Sequence, residues 1–295
     1  AFCFSLVFLA GWAWSQDSAL QPTRVLSLDG RWLLATDPLN QGVEQKWFAQ
    51  PVTDAKQTSV PWIIQDAFPG YHGVAWYWYD FLAPANPHAN GRYALRFWAV
   101  DYKADVWLNG VQVGSHEGGE TPFTLDVTGV IRTDGANRIA VRVLNPTNEP
   151  IDGIVLAATP HRNKVQPYSA GGSYNQGGIV DSVELLVTPP CTITDLFARA
   201  DAKTGAIRVS VSAHNSSEQP VEAGLEVSVA PAPTGTTADI VTLPLTLPPG
   251  DSTVEAQLVV PGYRLWDIQE PNLYRVTARL HAKSSNSVDE QSVRC

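Results

Sequence analysis

The chain has 295 residues, enough for about two domains by length, with 44% hydrophobic residues and a formal net charge of −9. That apolar content excludes a disordered chain, and the acidic balance leaves no basic surface for a nucleic-acid backbone. Charged residues are only 17% and Gly and Pro number 22 each, against about 25% charged in an average soluble protein; this is the profile of short strands joined by turns, not of helices.

Residues 1–13 read AFCFSLVFLAGWA, an uncharged apolar run too short to cross a bilayer core of about 30 Å. Ala13 and Ser15 supply the small residues of a cleavage site after Ser15. Residues 1–15 are therefore expected to be a signal-peptide remnant. The protein is then exported, periplasmic or extracellular, with no membrane attachment once the signal is removed. The chain contains no Met, as expected of a processed product or a fragment. Cys3 leaves with the signal. Cys191 and Cys295 are too few for a disulfide framework, and no Cys-x-x-Cys spacing suggests metal or redox work.

From Arg24 onward, alternation with period 2 recurs and helical periodicity is nearly absent. Ala94-Leu95-Arg96-Phe97-Trp98-Ala99-Val100, Arg138-Ile139-Ala140-Val141-Arg142-Val143, Ile207–Ser212 and Leu225–Val229 each present one apolar and one wet face. Such strands build antiparallel sheets packed on one side. Within Val106-Trp107-Leu108-Asn109-Gly110-Val111-Gln112-Val113, Asn-Gly supplies the two positive-φ positions of a type I′ hairpin. A boundary reads at Thr188-Pro189-Pro190, dividing a Trp- and Tyr-rich domain at 16–188 from a second at 189–295. The second holds about seven strand-like runs, the size and strand number of an immunoglobulin-like sandwich. The first has room for a jelly roll of two sheets.

Motifs with chemical meaning are few. His116-Glu117-Gly118-Gly119-Glu120 ends in Glu rather than His, and its two Gly oppose the helix a zinc motif needs. The remaining His residues are scattered, so neither metal nor cofactor is expected. In Trp76-Tyr77-Trp78-Tyr79-Asp80-Phe81 the aromatics alternate between faces, so at least one set belongs to the core. Trp32 and Trp107 sit within strand-like runs and read as core as well. The better binding candidate is the polar, Gly-rich, irregular stretch from His161 and Arg162 through Gly177. It carries Lys164, Tyr168, Tyr174, Asn175 and Gln176 as the candidate carbohydrate-binding residues.

Five motifs in order resemble glycoside hydrolase family 2, the group of β-galactosidases, β-glucuronidases and β-mannosidases. They are Leu28-Asp29-Gly30-Arg31-Trp32; Val60-Pro61 with Gly73-Val74-Ala75-Trp76-Tyr77 and Phe81; and Val100-Asp101-Tyr102-Lys103-Ala104-Asp105-Val106-Trp107-Leu108-Asn109-Gly110. Gly178-Ile179 with Val183-Glu184-Leu185 follow, and then Leu265-Trp266 with Glu270-Pro271-Asn272-Leu273-Tyr274. The resemblance implies an all-β chain: a jelly-roll (galactose-binding-like) sandwich followed by an immunoglobulin-like sandwich. It also implies an intact enzyme that hydrolyses terminal β-O-glycosidic bonds with retention, through two glutamates on a (β/α)₈ barrel of about 250 residues. No such length follows the second sandwich, so this segment is expected to be the non-catalytic N-terminal portion, inactive alone. Its partners are then a carbohydrate substrate and the missing barrel. The only Asn-Glu pair, Asn148-Glu149, lies between Pro146 and Pro150 and reads as a turn rather than the family's acid/base. In the family, the loop matching residues 161–177 tends to reach toward the substrate. In β-galactosidases it carries an Asp for sugar and sodium, and residues 173–176 contain none, so neither role carries over. Val180 also stands where the family usually has an aromatic residue. The alternatives are a stand-alone secreted carbohydrate-binding or adhesion module, and a purely structural scaffold.

Overall fold

The computed structural model describes residues 23–160, 163–283 and 287–295; the expected signal remnant and the first two residues of the candidate loop, His161 and Arg162, lie outside them. The first part of the chain forms β1 (Arg24–Ser27), β2 (Gly30–Asp37), β3 (Lys56–Val60) and a four-residue helix α1 (Ile64–Ala67). It continues with β4 (Gly73–Leu82), β5 (Arg92–Phe97), β6 (Val100–Asp101), β7 (Lys103–Leu108) and β8 (Val111–Glu117). Then come β9 (Phe123–Asp126), β10 (Ala136–Asn145), β11 (Lys164–Val165), β12 (Ser173–Tyr174), β13 (Gly178–Ile179) and β14 (Val183–Thr188). A six-stranded sheet in the order β3-β2-β4-β10-β7-β8 faces a four-stranded sheet in the order β1-β14-β5-β9. Between them lies a core that includes Trp32, Leu34, Tyr77, Leu95, Phe97, Val141 and Leu185.

Local chemistry explains the joints. Asn109 and Gly110 have φ of 53° and 83°, so the β7–β8 hairpin turns as the Asn-Gly pair requires. Asp29 stitches the opening strand to the closing one: its carboxylate accepts from the Val183 N–H and the Ser182 hydroxyl, both at 2.9 Å. The expectation of one wet face, read for Arg138–Val143, fails in β10, which pairs with β4 at the centre of the six-stranded sheet. β4 and β10 are buried on both sides, because the segment after β2 folds back over the six-stranded sheet. Trp47, Phe48, Val52 and Ala55 pack there on a second cluster of Ala35, Trp76, Trp78, Trp107, Ala140 and Leu144. Trp76 and Trp78 are therefore as fully buried as Tyr77, which points the other way.

Seven strands follow: β15 (Cys191–Ala200), β16 (Ala206–Asn215), β17 (Val221–Pro231), β18 (Asp239–Leu247), β19 (Gly250–Val259), β20 (Tyr274–Ala282) and β21 (Ser287–Arg294). They pair as β15-β16-β19 and β18-β17-β20-β21, two antiparallel sheets around alternating residues such as Val209, Val211, Leu225, Val227, Val276 and Leu280. The fold is all-β, a jelly-roll sandwich followed by an immunoglobulin-like one. Among the described residues no helix is long and apolar enough to cross a membrane.

Candidate functional site

Function on a β-sandwich usually sits in the loops gathered at one end of a rigid scaffold. Here the long connection from β10 to β13 crosses such an end. Two glycines hold it against the sheet. A Cβ on Gly177 would lie 2.4 Å from the Asn145 Cβ, and Gly178 has φ of 140° with the Trp62 carbonyl and the Tyr77 hydroxyl each 2.8 Å from where a Cβ would stand. Only glycine allows that approach.

The structure divides the five sequence candidates. Tyr168 and Tyr174 are exposed and stack on each other, ring centroids 4.1 Å apart and planes within 11°. They present an aromatic surface to solvent, the kind of surface on which a sugar ring rests. Gln176 is exposed, and its carbonyl accepts from Lys164 at 3.4 Å. The Lys164 ammonium is committed to the buried Asp101 carboxylate, so Lys164 ties the loop to β6 and offers little charge to a ligand. Asn175 turns inward and is 3% exposed. Its Nδ2 donates to the Pro146 carbonyl at 2.6 Å and its Oδ1 accepts from Asn145 Nδ2 at 3.0 Å. It is an anchor beneath the loop, not a contact on its surface.

Behind this loop lies a polar cluster that the sequence reading missed. Asn145 Oδ1 accepts from Gln65 at 3.0 Å and lies 2.9 Å from His72 Nδ1. Earlier on the same strand, β10, Arg142 is buried. Its Nη1 donates to Asp105 at 2.9 Å, and its Nη2 donates to Asn40 at 2.6 Å and to Asp152. Burial pushes the Asp152 carboxyl up, but the Arg142 charge and hydrogen bond, the Asn40 amide and Lys103 outweigh it and hold it below the usual carboxylate range. Nearby, burial and then the Asp37 charge push the Tyr71 phenol up to about 12, so it stays neutral. No local motif marks these residues; Asn40 and Asp152 stand in turns with φ of 53° and 50°, conformations that Asn and Asp tolerate best. Among the described residues no group of three or more His, Cys, Asp or Glu is arranged to hold a metal ion.

The model of "Glycosyl hydrolases family 2, sugar binding domain" matches residues 62–189, and that of "Glycosyl hydrolases family 2" matches residues 191–295. The chain belongs to glycosyl hydrolase family 2. It corresponds to the non-catalytic N-terminal domains of the family's β-glycosidases, and among the described residues there is no catalytic barrel. A β-glucuronidase of Paenibacillus borealis is 37% identical over 200 residues, 63% of this chain and 33% of that protein. Human β-glucuronidase is 27% identical over 267 residues, 81% of this chain and 38% of its own length. This family 2 chain thus spans about a third of the curated relatives it matches first, between 31% and 42%. Among solved structures, β-glucuronidase 2 of Bacteroides uniformis, covalently bound to cyclophellitol-6-carboxylate aziridine, superposes with a TM-score of 0.73 at 20% identity. That match covers 92% of this chain and 32% of the other. The Ruminococcus gnavus β-glucuronidase in complex with D-glucuronic acid gives 0.72 at 22% identity, covering 93% and 46%. Both share this fold.

Proposed function

We propose that this family 2 chain serves an exported β-glycosidase, of β-glucuronidase type, as the two sandwiches that precede and brace its catalytic barrel. The observation that carries this reading is the back-to-back match of two family models over residues 62–189 and 191–295, together with relatives named as β-glucuronidases. Retaining hydrolysis requires two carboxyls about 5–5.5 Å apart, one acid/base and one nucleophile. In this reading the barrel provides both, and the chain's own residues shape one wall of the pocket. Tyr168 and Tyr174 lie on that wall, and Lys164 and Asn175 hold the loop that carries them. The apolar run of residues 1–13, with the small residues Ala13 and Ser15 at its end, supports export.

The test is hydrolysis of chromogenic β-glucuronide, β-galactoside and β-mannoside by the 295-residue chain and by the full-length protein. The chain alone is expected to release nothing, and the full-length protein to release product from the β-glucuronide. In the full-length protein Tyr174→Ala is expected to lower turnover, while Tyr174→Phe, which keeps the ring, retains most of it. Site-dependent hydrolysis by the chain alone would sink this reading.

A further inference from the structure

We propose that the end of the first sandwich also carries a binding groove for a neutral glycan, centred on Asn40, His72 and Asp152 and distinct from the Tyr168–Tyr174 pair. The inference rests on the reading of the chain as part of a carbohydrate-processing protein, but on other residues and another surface.

Two concavities adjoin there, of about 340 and 320 Å³, and they share Asn40 and Asp152. Each has the size of a small-ligand site. Asp37, Leu39 and His72 line the first; Asp105, Trp107 and Gln112 line the second. Two compartments joined at one polar partition suit two linked rings better than a single compact ligand.

The hydrogen-bond network prepares the polar groups. The Pro146 carbonyl can only accept, so Asn175 must point its Nδ2 at it and its Oδ1 at Asn145. Asn145 therefore donates from Nδ2 to Asn175 and turns its Oδ1 toward His72. His72 Nδ1 lies 2.9 Å from that oxygen and 3.4 Å from Asn175 Nδ2, so the ring is held by its Nδ1 edge and lines the first concavity. In the second concavity Arg142 is 3% exposed, and its Nε–H has no hydrogen-bond partner. A buried donor left unpaired costs free energy and favours a ligand oxygen or water that reaches it. The groove thus offers acceptors on the Asp105 and Asp152 carboxylates and a donor on the Gln112 amide, with the His72 ring beside them. A sugar hydroxyl donates and accepts at once and can use both kinds. Leu39, which is 74% exposed, supplies apolar surface for the C–H face of a ring.

Charge chooses among sugars. Asp37, Asp105 and Asp152 line the two concavities against the guanidinium of Arg142 and the charge of Lys103, which reaches Asp152. A uronate would meet net negative charge, whereas an uncharged hexose or pentose unit would not.

The experiment is an NMR titration of the 295-residue chain with lactose, cellobiose and xylobiose, and separately with glucuronate. The neutral disaccharides are expected to shift the backbone amides of residues 39–41, 72–74 and 151–153, and glucuronate to bind about tenfold more weakly or worse. Asn40→Gly keeps the left-handed backbone and removes the amide that accepts from Arg142 and donates to Asp152; it and His72→Ala are each expected to weaken binding about tenfold. Tyr174→Ala is expected to leave this binding unchanged. Absence of shifts at those amides, binding that survives both substitutions, or binding abolished by Tyr174→Ala would overturn the groove. The titration involves no catalysis, so its failure leaves the hydrolysis test of the full-length protein standing, and failure of hydrolysis leaves the titration standing.

Discussion

Asn109 satisfies two demands at once. Its φ of 53° suits the hairpin turn, and glycine would meet that demand equally well. Its side chain also donates to the Val130 carbonyl at 3.0 Å and to Asn137 Oδ1 at 2.9 Å, and accepts from the Arg138 N–H at 3.0 Å. Asn109→Gly is therefore expected to cost about 1–3 kcal/mol, read as a lower urea midpoint, because partly buried partners lose their bonds. A neutral result would mean that the turn needs only its backbone. Asp152 sets a different test. Its carboxyl is held below its ordinary value of 3.8, so below that pH the unfolded chain binds the proton more readily than the folded one. Its stabilising contribution is present above about pH 4 and is lost as pH falls through the folded value. Asp152→Asn is expected to flatten this part of the acid limb in melts between pH 6 and 3. An unchanged limb would show that the Arg142 pair contributes nothing to stability.

At the scale of elements, the closing turn before β13 depends on the absence of side chains. Gly178→Ala would place a methyl 2.8 Å from the Trp62 carbonyl and the Tyr77 hydroxyl, at a φ of 140° that alanine disfavours. The cost is expected to be about 1–3 kcal/mol, the order of one strained backbone residue, and it should fall on the loop first. Hydrogen exchange should speed at residues 173–179 before the central strands β4 and β10 respond. Equal acceleration everywhere would argue against the loop as a separately latched unit. The central strands are the stiffest elements for a clear reason. Both faces of β4 are packed, Trp76 and Trp78 on one side and Tyr77 on the other, so each residue pairs in the sheet and packs in a core.

At the scale of the whole molecule, the two sandwiches meet through Asp289. This buried carboxylate at the start of β21 accepts from the Ile193 N–H of β15 at 2.7 Å and from the Thr23 hydroxyl just before β1. Burial pushes its carboxyl up, against the pull of those hydrogen bonds. The same geometry governs the thiols. Ile193 lies beside Asp289, so Cys191 sits near the start of β21, while Cys295 follows its end and pairs with Tyr274. Six residue steps of strand lead from Asp289 to Cys295, roughly 20 Å at about 3.3 Å per step, far beyond the reach of one disulfide. Both cysteines are free, and burial pushes both thiols up. Non-reducing peptide mapping is expected to find no Cys191–Cys295 link, and alkylation of native protein to spare Cys191, which is 2% exposed, until it unfolds. A mapped bridge would overturn the strand arrangement.

Much of this architecture is local and therefore legible in the residues alone. Alternation along β16 and β17, the Asn109-Gly110 turn and the seven runs of the second sandwich each depend on neighbours a few positions apart. The motifs from Leu28 to Tyr274 place the chain in its family for the same reason. The candidate loop was legible as a loop, because its composition is polar and Gly-rich, but the directions of its side chains were not. Asn175 turns inward because the Pro146 carbonyl, 29 positions away, requires a donor, and Lys164 is taken up by Asp101, 63 positions away. Likewise, alternation announces that a strand has two faces, but whether the second face meets water depends on what folds over it. Trp47 and Phe48 arrive there from a separate loop and bury the outer side of β4 and β10. The groove around Asn40, His72 and Asp152 exists only because three turns distant in sequence meet at one end of the sheet. Such contacts leave no periodic trace in the chain, since the free energy that selects them comes from packing and hydrogen bonding across the fold, and so the tertiary structure alone decided them.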